Sequence, residues 1–348
     1  MSSARLSTLG LRFAIRASNT AGVRPSRLVS QTAPQWLICN TCLLSATANS
    51  FSTNPRPNNA PSSYTHRRED SKIAATFTST ALAPPGFDVR GRVYAVTGGG
   101  RGLGLTIASY LAKLGAHVYC LDVLPIPAAE FFETKQLAEN CAGCGSLNYR
   151  DLDVRNAEQQ DAVFSEIADE HGRFDGLVAA AAIQYICQAL QYPPEKITEM
   201  LDVNVKGVHL TATTAAKQMI KYDCQGSIVL IASMSAFISN KGLSCSVYNA
   251  SKAAVVSLGR SFADQWSKAV RGKPIRVNSL CPGNIMTPMV RKNFEDEPHL
   301  KKLWEESNML GRISEPEEFT GAVLFMLSDA SSFMTGASLL VDAGYTAW

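Results

Sequence analysis

The sequence predicts an α/β fold: a single domain over residues 87–348, built as a doubly wound parallel seven-stranded sheet with helices on both faces. Three observations carry this. From residue 91 onward, β-rich apolar runs alternate with helical patterns, the order that right-handed β-α-β units produce. Several of those runs are continuously apolar, as strands covered on both faces are. A glycine-rich stretch also joins the first strand directly to a helix, where such sheets bind their ligands.

The region before the domain has a different composition. Residues 1–68 hold Arg5, Arg12, Arg16, Arg24, Arg27, Arg56, Arg67 and Arg68, with no lysine and no acidic residue. An arginine- and serine-rich, acid-free leader has the composition of an organelle transit peptide. Residues 1–50 are therefore expected to be a mitochondrial transit peptide directing the chain to the matrix, with a cytoplasmic location the alternative. Residues 51–86, rich in Ser, Thr, Asn and Pro, are expected to form a disordered linker. No apolar run is long enough for a membrane span. Subtracting the eight arginines from the formal charge of +3 leaves −5 for the remainder, which offers nothing to nucleic acid. Nine cysteines, mostly scattered, suit a reducing compartment. Cys39/Cys42 and Cys141/Cys144 have CxxC spacing, but no histidine cluster supports a zinc site. They are expected to be ordinary loop cysteines, with no metal.

The strands read in order as "RVYAVT", "AHVYCLD", "SLNYRDLDV", "FDGLVAAAA", "GSIVLIAS", "PIRVNSLCP" and "ASLLVDAG". Helical patterns lie between them at residues 104–115, 157–172, 195–222 and 248–270. The first strand runs into "TGGGRGLG", comprising Thr97, Gly98, Gly99, Gly100, Arg101, Gly102, Leu103 and Gly104. Glycines there let the backbone approach a pyrophosphate, whose charge the helix N-terminus accommodates. Asp122 closes the second strand about 20 residues later, where a carboxylate accepts hydrogen bonds from ribose hydroxyls. It would repel a 2′-phosphate, so NAD(H) is favoured; Arg101, able to pair with that phosphate, keeps NADP(H) possible. After the third strand, Asp153 and Val154 are placed to meet the adenine rim, with helix capping an alternative for Asp153. Tyr248 precedes Lys252 by one helical turn, so the two side chains meet. Tyr192 and Lys196 have the same spacing but enclose Pro193 and Pro194, which disfavours helical geometry at Tyr192.

The set Thr97-Gly98-x-x-x-Gly102-x-Gly104, Asp122, Asp153, Asn204, Ser235, Tyr248-x-x-x-Lys252 and Pro282-Gly283 resembles the short-chain dehydrogenase/reductase family from residue 91 to the C-terminus. The surroundings "SMSAF" and "YNASKAAV" are most similar to fungal polyol dehydrogenases and ketose reductases. The resemblance implies a Rossmann-like domain with a catalytic tetrad of Asn204, Ser235, Tyr248 and Lys252. Tyr248 would exchange a proton with the carbinol oxygen while Lys252 favours its phenolate and holds the nicotinamide ribose. Ser235 would orient the substrate oxygen, with Ser233 its rival, and Asn204 would hold a water beside Lys252. Ala180 and Ala181 would line the cofactor, Pro282 and Gly283 would end the sixth strand, and Ile285 and Thr287 would meet the nicotinamide carboxamide. Met286, Met289 and Phe294 would line a substrate lid or serve as ordinary packing. One departure stands out: Ala179-Ala180-Ala181-Ala182 replaces the family's usual Asn-Asn-Ala-Gly, removing two amides that tie neighbouring backbone together.

The implied function is NAD(P)(H)-dependent interconversion of a secondary alcohol and a ketone, with a polyol or ketose such as arabinitol, xylulose or sorbose as substrate. Reduction of a ketoacyl thioester or hydrophobic ketone is the alternative, and a cofactor-binding regulatory protein is the non-enzyme reading. Helices at residues 195–222 and 248–270 resemble those of the family's four-helix interface, implying a homodimer or homotetramer. A fluorescent protein fused behind residues 1–50 is expected to co-locate with mitochondria; diffuse cytosolic fluorescence would remove the leader assignment.

Overall fold

The computed structural model describes Pro84 and residues 86–348. The leader at residues 1–50, with Cys39 and Cys42, and the linker at residues 51–86, save Pro84 and Gly86, lie outside the described residues. Each apolar run drawn above is a strand: β1 Val93–Thr97, β2 His117–Asp122, β3 Ser146–Asp151, β4 Gly176–Ala179, β5 Ser227–Ile231, β6 Arg276–Pro282 and β7 Ser338–Val341. They form one seven-stranded sheet in the order β3-β2-β1-β4-β5-β6-β7, with every pairing parallel.

The continuous apolar runs follow from coverage on both faces. Along β1, Val93 and Ala95 point into one core, and Tyr94 and Val96 into the other. Ile228 and Leu230 of β5 likewise oppose Val229 and Ile231. Successive side chains of a strand alternate sides, so each must be apolar here. The first core is roofed by helices α3 Ala157–His171, α5 Val208–Lys221 and α6 Ser246–Gln265, through Phe164, Ile167, Ala212, Met219, Val255 and Phe262. The second is roofed by α1 Gly102–Lys113 and α9 Thr320–Leu327, through Ile107, Leu111, Val323 and Leu327. The helices that complete the domain are α2 Ala129–Glu139, α4 Pro194–Leu201, α7 Pro288–Asp296 and α8 His299–Glu306.

Two helices depart from their sequence patterns. The pattern over residues 195–222 is interrupted by a π-helical turn, Asp202–Gly207, between α4 and α5. A wider turn of this kind commonly marks a functional site, and it contains the fully buried Asn204. The helix expected to run to residue 270 ends at Gln265. The Trp266 carbonyl accepts the Ile275 N–H at 3.0 Å, and a tight Val270/Lys273 pairing turns the chain back into β6. The second CxxC is not a pair of ordinary loop cysteines: Cys141 and Cys144 are joined as a disulfide in the turn after α2, their Cα atoms 5.5 Å apart, within bridging reach.

Strand order places the site. The chain winds outward through β2 and β3 on one side of β1, then returns to β4 on its other side. Connections therefore diverge between β1 and β4, opening a crevice at the carboxyl ends of the strands.

Candidate active site

The loop after β1 fits a dinucleotide by exclusion of side chains. Gly98 and Gly102 have positive φ, +66° and +57°, which suits residues without a Cβ. A Cβ on Gly98 would lie 2.9 Å from Ala181 backbone, and one on Gly104 would lie 2.2 Å from the Gly98 carbonyl. The loop is thus pressed against Ala180–Ala181 on one side and α1 on the other. Thr97 is buried; its carbonyl accepts Ala180 N–H at 3.2 Å and its hydroxyl accepts Ala181 N–H at 3.4 Å. Gly102 abuts Thr287 and Pro288 across the crevice. Leu103 packs on the core behind the loop, and Arg101 is exposed at the start of α1 with an extended backbone and no side-chain cap. The helix N-terminus therefore presents its free N–H groups to the crevice.

Asp122 is the last residue of β2. Its Oδ2 accepts Gly100 N–H at 2.9 Å and its Oδ1 accepts Leu124 N–H at 3.2 Å. Each carboxylate oxygen keeps a lone pair for a ribose hydroxyl. Asp153 does not cap α3; Asn156 does, accepting Gln159 N–H. The Asp153 carboxylate instead pairs with Arg155 at 2.6 Å, and that guanidinium holds it below the usual carboxylate range. The Asp153 backbone N–H is committed as well, donating to Gln159 Oε1 at 3.1 Å. Val154 is buried against Gly207 of the π turn.

The four-alanine segment is held from outside. Asn204 uses its whole amide: Oδ1 accepts Ile183 N–H at 2.9 Å, while Nδ2 donates to Ile183 O at 2.9 Å and Ser251 Oγ at 3.1 Å. Ser251 Oγ–H donates in turn to the Tyr248 carbonyl at 2.7 Å. Both Asn204 amide hydrogens are thereby committed. Its side chain ties the β4 loop to α6.

The chemistry-bearing side chains converge from β5 and α6. Gly259 lets α6 approach β6 closely, since a Cβ there would meet Ser279 Oγ at 2.8 Å. One turn and more before it, Lys252 is 2% exposed and donates to the Ile231 carbonyl at 2.9 Å. Its Nζ lies 5.6 Å from the ring centre of the half-buried Tyr248. Ser235, buried, follows β5 in the short turn Met234–Ala236. Tyr192, by contrast, has an extended backbone outside α4, and Lys196 pairs with Glu199 at 2.8 Å.

The electrostatics differ from the expected lysine-acidified phenol. Burial pushes Tyr248 up to about 12, assisted by Cys245, while the Ser233 hydroxyl pulls it down. Burial also lowers Lys252 to about 8, with the neighbouring Cys281 opposing. Desolvation acts against both charged forms, the phenolate and the ammonium. By the protein's own groups alone, Tyr248 is protonated at neutral pH and so competent as an acid.

Beyond β6, Gly283 packs on Asp342 backbone, following the buried Pro282. Ile285 is buried and bridges to Ser314. Thr287 caps α7, its hydroxyl accepting Val290 N–H at 3.4 Å, which leaves its own hydrogen to donate. Met286 and Phe294 are half-buried and pack on Leu300, Trp304 and Ile313; Met289 is half-buried at the start of α7. The sole buried residue of α7 is Asn293, whose Nδ2 donates to Gln184 Oε1 at 3.0 Å. Sequence reasoning missed Ser251, Ile231, Gln184 and Asn293, because each acts through a partner distant in the chain.

Comparison with known proteins gives a consistent result. Residues 98–346 match the family model described as Enoyl-(Acyl carrier protein) reductase. The short chain dehydrogenases/reductase notP′ of Aspergillus versicolor is 39% identical over 271 residues, spanning 75% of this chain and 89% of its own. D-arabinitol 2-dehydrogenase (ribulose-forming) of Scheffersomyces stipitis is 35% identical over 279 residues, spanning 78% and 99%. A solved gluconate 5-dehydrogenase of Burkholderia cenocepacia, in complex with NADP and tartrate, has a TM-score of 0.68 at 29% identity, covering 75% of this chain and 98% of its own.

Lys252 makes the site costly to the fold. Its folded value near 8 lies below the free value of about 10.4, so unfolding takes up a proton between them and stability rises with pH across that window. Below it the full cost of a buried cation is present. Lys252→Met is expected to melt about 2–4 °C above wild type at pH 7, with the gap narrowing by pH 10, and to lose about 100-fold or more in activity. Scanning calorimetry showing the variant less stable at both pH values would mean that the ammonium contributes net stability.

Proposed function

The chain belongs to the short-chain dehydrogenase/reductase family, and on that premise we propose that it interconverts a polyol and a ketose, using NAD(H). That it is an NAD(P)-dependent oxidoreductase acting on CH–OH groups follows from the family. The observation that carries the mechanism is the Tyr248/Lys252 pair on one face of α6, against which the turn carrying Ser235 packs.

A bound nicotinamide supplies the hydride acceptor in oxidation and the donor in reduction. In the reducing direction Tyr248, a phenol at neutral pH, donates its proton to the carbonyl oxygen of the substrate as that oxygen gains charge. Ser235 donates a hydrogen bond to the same oxygen and orients it. In the oxidising direction Tyr248 must first lose its proton, which the Lys252 ammonium beneath the ring favours. Lys252 also stands ready to bind the nicotinamide ribose. Asn204 and Ser251 hold α6 against the β4 loop, so that phenol and hydroxyl keep their separation.

Preference for NAD(H) is supported by the Asp122 carboxylate, fixed at the end of β2 by two backbone N–H groups where it would repel a 2′-phosphate. A polyol or ketose is supported by the arabinitol dehydrogenase relative and by the Gln184 and Asn293 amides meeting between the β4 loop and α7. One observation favours a hydrophobic ketone instead: Tyr185, Ile186 and Leu190 on the segment after β4, and Phe237 on the segment after β5, are exposed apolar side chains. Self-assembly is supported by the outer face of α6, where Ala250, Ala253, Ser257 and Ser261 are exposed and small enough for a second helix to approach closely.

Isothermal titration is expected to find NADH bound at least about tenfold more tightly than NADPH, and Asp122→Ser to erase that difference. With the better cofactor, arabinitol, xylulose or sorbose is expected to turn over faster than an acetoacetyl thioester; turnover of the thioester alone would overturn the sugar assignment. Tyr248→Phe is expected to lose about 10²–10⁴ in rate, and a fully active variant would refute the acid/base role. Light scattering is expected to return the mass of a dimer or tetramer, whereas a monomer mass would remove the assembly claim.

A further inference from the structure

At the carboxyl ends of the strands, the β4 loop meets α7 through two amides, those of Gln184 and Asn293. Asn204 fixes Ile183 through its N–H and its C=O, both at 2.9 Å, and reaches through Ser251 to the Tyr248 carbonyl. Gln184 comes next in the chain, so its backbone extends the frame that carries the phenol. α7 starts beside the cofactor loop, where a Cβ on Gly102 would lie 3.3 Å from Pro288, and reaches the β4 loop at Asn293. That asparagine is 7% exposed and is the one buried residue of α7, although Val290 and Phe294 are apolar. A helix ordinarily turns its apolar residues inward. Here an amide has the innermost place, its Nδ2 donating to Gln184 Oε1 at 3.0 Å.

A primary amide offers two N–H donors and an oxygen with two lone pairs. The single bond between them leaves Asn293 Oδ1 and the Gln184 Nε2 hydrogens without a partner among the described residues. The unpartnered side-chain polar atoms sealed from solvent there belong to Tyr94, Gln160 and Gln218, so these two stay open to a ligand. We propose that Gln184 and Asn293 determine specificity by reading a hydroxyl on the carbon beside the reacting one: it donates to Asn293 Oδ1 while accepting from Gln184 Nε2. A hydroxyl has one hydrogen and two lone pairs, so it satisfies both amides at once. Turned end for end, the pair would offer the same donor and acceptor. A ketoacyl thioester carries no hydroxyl beside its ketone and would cover the amides unpaired, which a site built to hydrogen-bond rejects strongly. This rests on the polyol reading of the same site and names the part of the substrate that the site selects.

The test compares the reduction of acetoin and of butanone, which differ by that one hydroxyl, for wild type, Gln184→Met, Asn293→Leu and Asn293→Asp. Each protein is read as the ratio of its two kcat/KM values on one preparation, so a loss of folded protein cancels. Wild type is expected to favour acetoin by about 100-fold or more. Gln184→Met and Asn293→Leu are each expected to cut that ratio by about tenfold, and Asn293→Asp, which keeps an oxygen acceptor, to retain it. A ratio left unchanged by both Gln184→Met and Asn293→Leu, whether or not both ketones slow, would make the amides a support for α7 alone and overturn the proposal. Wild type that reduces both ketones alike, or neither, would overturn the polyol reading and the proposal with it.

Discussion

Every part of the site depends on one awkward arrangement: an ammonium group held out of water beneath a phenol. Lys252 is 2% exposed and has a single backbone carbonyl, that of Ile231, as its hydrogen-bond acceptor among the described residues. Burial of a cation is unfavourable unless its surroundings compensate it. The fold holds it there by packing α6 hard onto the sheet, with Val255, Val256, Phe262 and Ala263 buried on its inner face and Gly259 giving way to Ser279. Without that close approach neither Lys252 nor Tyr248 would face the crevice. The low dielectric that lowers Lys252 and raises Tyr248 also strengthens any charge the site later receives. A positively charged nicotinamide ring therefore has more influence on the phenol here than it would in water.

The crevice has a topological origin. Strands wind away from β1 in both directions, and the connections leaving β1 and β4 part company above the sheet. The glycine loop occupies one lip, and β5 and α6 supply the other. Where the family resemblance implies amide side chains after β4, this chain has four alanines, and the backbone there is secured from elsewhere. Thr97 holds Ala180 and Ala181, and Asn204 reaches out of a π-helical turn to hold Ile183 through both its N–H and its C=O. Local rigidity here comes from the loop's neighbours, since alanine side chains form no hydrogen bonds. The same Asn204 amide links onward through Ser251 to the Tyr248 backbone, so loop and catalytic helix share one hydrogen-bonded frame.

Regularity in the chain was legible without coordinates. Strand positions followed from apolar runs that need both faces covered, and the cofactor loop from glycines lying between a strand and a helix. Tyr248 and Lys252 declared themselves by a spacing that only a helix turns into contact, and two prolines exposed Tyr192/Lys196 as a decoy. These signals are local: each depends on residues within a turn or a strand of one another. The π turn and the early end of α6 left no such signal, because they arise where the chain meets packing partners. The disulfide at Cys141/Cys144 had one in its CxxC spacing, which composition alone did not distinguish from a pair of loop cysteines.

What the sequence determined by itself was therefore the order of elements and the contact of Tyr248 with Lys252, both consequences of periodicity and short-range spacing. Tertiary structure alone decided their protonation and their supports. Desolvation depends on everything packed around a group, so the phenol expected to be acidified by its lysine is instead raised to about 12. Hydrogen-bond partners such as Ile183 for Asn204 or Gln184 for Asn293 are separated by 21 and 109 residues, distances over which composition and pattern carry no information about contact.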